Sequence, residues 1–216
     1  MIAVIQCAAR KRPEAGHLET PAGQPVTFVA NPRAIEPGDD MLYEHPDDTS
    51  GYGGTWRDAL LKYNQDLPKN PRRLLPAWQL YGEPTYARLA KHVGVENLFI
   101  LSAGWGLIRA DFLTPVYDIT FSGQAEAYKH REQTAEYRDL NMLGAVTDDI
   151  VFFGGKDYLR QFCKLTAAAK GRRIVFYKAK NARAAGCELR YFESSNPRKW
   201  HYECANAFVN GELTDL

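Results

Sequence analysis

"NLFILSAGWGLIRADFLTPVYDITF", residues 97–121, decides how this chain folds. Its opening, "NLFILSA", is an apolar run without alternating polar side chains, the pattern of a strand buried on both faces. Such a strand belongs inside a sheet covered by helices. Two further runs of this kind are "MIAVIQC" (1–7) and "DIVFFGG" (149–155), and "RRIVFYK" (172–178) and "ELRYF" (188–192) read as two more strands. Helical patterns stand between them: "TWRDALLKYNQDL" (55–67) capped by Thr55, "EPTYARLAKHVG" (83–94), "AEAYKHREQTAEYRDLNML" (125–143) and "GKDYLRQFCKLTAAAKG" (155–171). A terminal helix is expected in "PRKWHYECANAFVNG" (197–211), opened by Pro197 and closed by Gly211. Strands alternating with helices predict an α/β fold with a mostly parallel central sheet flanked by helices.

The 216 residues suit one domain, 1–216. From Arg10 to Gly54 the chain is rich in Pro, Gly and Asp and has no clear period, long for a structureless loop. This predicts an N-terminal insertion of approximately 13–66 near a site, with "PVTFVANP" (25–32) as a strand of its own. Lys plus Arg (27) nearly cancel Asp plus Glu (26), so no global field draws the protein to DNA or to an anionic membrane. Nucleic-acid binding then needs a local patch, for which "RKR" (10–12), "PRR" (71–73) and "KGRR" (170–173) are candidates. Cys7, Cys163, Cys187 and Cys204 make neither a zinc spacing nor a disulfide framework, which predicts free thiols in a reducing compartment. With no signal or membrane-spanning pattern at the start, the expectation is a cytoplasmic protein with no membrane partner. No dinucleotide, P-loop or metal-ligand pattern is present, so neither cofactor nor metal is expected.

In such sheets ligands bind beyond the carboxyl ends of the strands. Those ends carry Gln6, Cys7, Arg10 and Lys11; Ser102 and Trp105; and Gly154 with Gly155, a pair between strand and helix that lets backbone N–H groups approach an anion. Each has a structural alternative. The glycines can form a tight turn, Arg10 and Lys11 a solvated loop, and Cys7 a packing contact. Trp105 and Tyr117 can stack a base or lie in the core. Asp118 sits within an otherwise apolar run, either on a surface edge or in a cleft where its carboxylate does acid–base work. His201, between Trp200 and Tyr202, is either a half-buried helix residue or a site residue.

Taken in order, "VIQCAARK", "QLYGEPTYARLAKHV", "FILSAGWGLIRADFLTPVYDITF" and "FFGGKDYLRQF" resemble the YaaA-like superfamily of small bacterial proteins and its relatives found near DNA-modification genes. The likeness is most specific over Ser102 to Asp118. Trp105 stands where a Tyr or His is usual, and Gly104 where a Lys is common. The resemblance implies an α/β fold with a DNA-associated cleft, and binding of DNA or action on modified bases. The function expected is a DNA glycosylase for a damaged or hypermodified phage base, as in anti-phage defence, which flips its target from the stack. Asp118 and His201 would be catalytic, and Gln6, Cys7, Ser102, Trp105 and Tyr117 would hold the base. Arg10, Lys11, Gly154 and Gly155 would hold phosphate. The alternatives are a non-catalytic DNA-binding stress protein and a nucleoside or nucleotide hydrolase or transferase.

Overall fold

The computed structural model describes residues 1–36, 41–65, 70–178 and 182–213, and among these described residues there are thirteen short strands and five α-helices. The apolar runs become β1 (Ile2–Gln6), β6 (Leu98–Ser102), β11 (Ile150–Phe153), β12 (Arg173–Tyr177) and β13 (Glu188–Tyr191). With β7 (Gly106–Arg109) and β10 (Leu140–Asn141) they form a seven-stranded sheet in the order β10-β7-β6-β1-β11-β12-β13. The five strands from β6 to β13 in that order are parallel, whereas β7 folds back antiparallel to β6 and β10 runs alongside β7. This is the mostly parallel α/β sheet that the apolar runs predict.

Helices cover both faces. Phe152 stacks on Phe162 of α4 (Leu159–Leu165) at 4.5 Å between ring centres, and Phe153 packs on Phe208 of α5 (Trp200–Val209) at 5.4 Å. Neighbouring strand residues point to opposite faces, so α4 and α5 lie on opposite sides of the sheet. Helix α3 (Thr85–Val93), preceded by the single turn α2 (Ala77–Leu80), packs beside α5.

A second, four-stranded sheet contains β2 (Leu18–Glu19), β3 (Pro25–Val29) and β4 (Leu42–Glu44) in that order, with β9 (Tyr117–Asp118) pairing with β3 as well. Strands β5 (Leu75–Pro76) and β8 (Leu113–Thr114) form a separate pair. Phe28 of β3 brings its ring to 4.9 Å from Trp105 and 5.7 Å from Trp56, the first residue of α1 (Trp56–Gln65). Residues 66 and 67 of the expected first helix, and the expected boundary of the 13–66 segment, lie outside the described residues. Among the described residues no helix is long and apolar enough to cross a membrane.

One expected helix is absent. Residues 125–143 run as turns and end in β10. Arg131 explains this: it is buried, donates to the Ala103 carbonyl at 2.7 Å, and forms a two-pronged pair with Asp139 at 2.8 and 2.7 Å. Tyr137 lies against its guanidinium, 3.6 Å from the ring centre. Local helix preference amounts to tenths of a kcal/mol per residue, and this long-range arrangement outweighs it.

Candidate functional site

Strand β1 hands the chain to β6 on one side, and β11 hands it to β12 on the other. The crevice between β1 and β11 is therefore the point at which an α/β sheet opens to a ligand. A cleft of about 560 Å³ lies there, a usual size for a small-molecule site. Gln6, Cys7, Gly154, Gly155 and His201 all line it, so five residues drawn from three distant parts of the sequence converge.

The floor is knit together across the two strand ends. Gln6 Oε1 accepts the Gly155 N–H at 2.6 Å, and the Gln6 carbonyl accepts the Tyr86 hydroxyl at 2.7 Å. Cys7 Sγ lies 3.3 Å from the Tyr158 hydroxyl. Burial holds the Tyr86 and Tyr158 hydroxyls well above the ordinary range, so both stay protonated. Gly154 is required sterically, since a Cβ there would meet Phe152 Cζ at 2.2 Å. Because the Gly155 N–H is already engaged by Gln6, the glycine pair is a strand-to-helix turn rather than a ready anion cradle.

The other wall comes from the loop before α5 and from its first turn. His201 is 6% exposed, its Nε2 has no partner among the described residues, and burial alone pushes its pKa down to about 4. At neutral pH it is an uncharged imidazole. Beside it the Tyr202 hydroxyl, 3.5 Å from that of Tyr86, is pushed up to about 12 by burial. Lys156, Lys178, Arg198 and Lys199 line the cleft together with one carboxylate, Asp157. Lys178 donates to the Ser194 carbonyl, and Lys199 stands 3.7 Å from Glu83. Sequence reading missed Lys178, Arg198 and Lys199. The strand-end rule applied to "RRIVFYK" points to Lys178; the other two were hidden because Pro197 reads as a helix start, whereas α5 begins at Trp200.

The remaining expected residues lie elsewhere. Trp105 is fully buried, enclosed by Phe28, Tyr117 and Arg57, and has no face left for a base to stack on. Tyr117 is equally buried: its hydroxyl is 2.7 Å from that of Tyr81 and accepts a bond from Ser102 Oγ at 2.9 Å. Ser102 Oγ in turn accepts the Trp105 N–H at 3.1 Å, so the three build the turn after β6. Arg57 locks that turn, donating to the Gly104 and Trp105 carbonyls at 3.1 and 3.0 Å while paired with Asp47 at 2.7 Å. Lys11 is half-buried with its Nζ 4.1 Å from the Tyr117 ring centre, and burial lowers its pKa while Cys7 and Asp118 oppose the shift. Neither Lys11 nor the exposed Arg10 lines the cleft.

Asp118 occupies a neighbouring recess of about 330 Å³ that shares Ala9, Thr120 and Ser122 with the cleft. Its carboxylate pairs with Lys129 at 2.9 Å and is 36% exposed, so it is reachable by solvent. None of the described residues in 13–66, the segment expected near a site, lines the cleft; they build the second sheet and hold β9, and residues 197–202 form a wall of the cleft. Among the described residues no three metal-ligating side chains converge. No protein-family model matches this chain, and neither a curated protein nor a solved structure shows significant similarity to it.

Proposed function

We propose that this protein cleaves the N-glycosidic bond of a modified or damaged base in DNA, taking the flipped nucleotide into the cleft at the β1–β11 crossover. The observation that carries this reading is the composition of that cleft: a nucleotide-sized space with four cations and one carboxylate, continuous through Thr120 and Ser122 with the recess of Asp118. Breaking the bond develops positive charge on the sugar and negative charge on the departing base. Asp118 then stabilises the sugar cation or orients the attacking water, with Lys129 fixing its carboxylate. Water supplies hydroxide to the anomeric carbon, and its proton goes to the leaving base. Gln6 and His201 offer hydrogen bonds to the base edge, and Tyr177 and Tyr202, which line the cleft, take the stacking role. The segment from about 13 to 66 serves on this reading as an insertion that braces β9 and so positions Asp118.

Wild-type protein and Asp118→Asn are incubated with genomic DNA from unmodified and hypermodified phages, and abasic sites and released bases are counted. Base release by the wild type, reduced about 100-fold or more in Asp118→Asn, is the expected result. Binding without release by either protein leaves a non-catalytic DNA-binding protein. A second reading, hydrolysis or transfer on free nucleotides, is favoured by the formal net charge of +1, low for a DNA-binding chain. Base release from free deoxynucleotides but not from DNA would establish it.

A further inference from the structure

Helix α5 spans ten residues and starts inside the cleft: residues 197–202 line it. No side chain caps this helix. The N–H groups of Tyr202 and Glu203 reach back to the Lys199 carbonyl at 2.9 and 3.2 Å, while those of Trp200 and His201 have no protein partner among the described residues. Unsatisfied N–H groups at a helix start carry the positive end of the helix dipole, and an anion placed there satisfies both. The charge of the cleft provides an independent sign of an anionic ligand: Lys156, Lys178, Arg198 and Lys199 line it against the carboxylate of Asp157.

The side chains around this helix start are suited to a phosphate group. Lys178 follows the end of β12, lines the cleft and is anchored on the Ser194 carbonyl. Arg198 has no carboxylate partner among the described residues and so offers its fork to phosphate oxygens. The loop that presents it is fixed: Asn196 Oδ1 accepts the N–H groups of Arg198 and Lys199 at 3.1 and 3.0 Å, and Ser194 Oγ donates to Glu203 at 2.6 Å.

We infer that the N-terminal end of α5, with Lys178 and Arg198, is the phosphate subsite of the cleft. The Gly154–Gly155 turn then faces the sugar and base. That the phosphate belongs to a nucleotide rests on the reading proposed above; that the subsite takes phosphate does not. The same oxygens reach it from a free 5′-monophosphate or from a DNA strand.

The test titrates the full chain by calorimetry with a deoxynucleoside, its 5′-monophosphate and a short single-stranded oligonucleotide, for wild type and for the Lys178→Ala/Arg198→Ala double variant. The expected result is that the monophosphate or the oligonucleotide binds the wild type at least tenfold more tightly than the nucleoside. The double variant loses that preference but keeps its nucleoside affinity. Preference for the monophosphate over the oligonucleotide identifies a free nucleotide as the source, and the reverse a strand. A wild type without preference for phosphate, or a double variant that retains it, overturns the subsite. Base release that persists while the preference is absent sinks only the subsite, and a phosphate preference without base release sinks only the glycosidic reading.

Discussion

Burial is the sole cause that pushes the His201 imidazole from 6.5 to about 4, and this ties stability to pH with a definite sign. The folded pKa lies below the unfolded one, so the contribution is complete above pH 6.5 and is lost as the pH falls towards 4, because the unfolded chain takes up the proton first. At 1.36 kcal/mol per unit the full loss is roughly 3 kcal/mol. Glu44 acts oppositely: burial and then Asp48 raise its carboxyl to about 7, so its contribution is complete below 4.5 and is lost as the pH rises through 7. The effect of His201 is therefore read as a difference between wild type and His201→Phe in urea unfolding from pH 4.5 to 7.5. Wild type should lose stability relative to the variant on acidification, and parallel curves would remove the imidazole from the account. At this scale the sequence is unevenly readable. Gln6 and Cys7 are visible as site residues because they end an apolar run. Trp105 and Tyr117 are not readable as core, because what covers them is Phe28 and Tyr81, residues 77 and 36 positions away in the chain.

The turn after β11, beside the cleft, contains two contrasting glycines. A Cβ at Gly154 would sit 2.2 Å from the Phe152 ring, which is itself stacked on Phe162, so the ring has no room to withdraw without disturbing α4. At Gly155 the nearest atom to such a Cβ is Gln6 Oε1 at 3.5 Å, an ordinary contact. Gly154→Ala should therefore cost about 1–3 kcal/mol in chemical denaturation, as overpacking does, and Gly155→Ala well under 1 kcal/mol. Equal effects would mean that the turn is not held by Phe152. The elements themselves were legible wherever an apolar run was long: β1, β6, β11 and β12 fall within the runs that announce them. The segment 125–143 was not, because its Ala, Glu and Arg content speaks for a helix while Arg131 is held by Asp139 and by the Ala103 carbonyl, partners that only the fold supplies.

Charge on the whole molecule is distributed in a way that the net value hides. The sum is +1, yet the cleft has four cations against one carboxylate. The basic triplets that looked promising in the sequence are partly neutralised: Arg12 pairs with Glu14 at 3.5 Å, Arg72 with Glu19 at 3.7 Å, and Arg172 with Asp149 at 2.7 Å. On the proposed reading the nucleic acid is held at the cleft, and the salt dependence of its binding counts the cations involved. Each phosphate neutralised contributes about −0.9 to the slope of log K against log salt on duplex DNA and about −0.7 on single strands. Four cleft cations set a ceiling near −3 to −4, and Arg198→Ala should reduce the slope by about one phosphate. A much steeper slope would show that the triplets bind DNA despite their carboxylate neighbours. A slope near zero, with base release intact on free nucleotides, would assign the cleft to a small molecule, because only a polyelectrolyte binds by releasing a condensed layer of counterions.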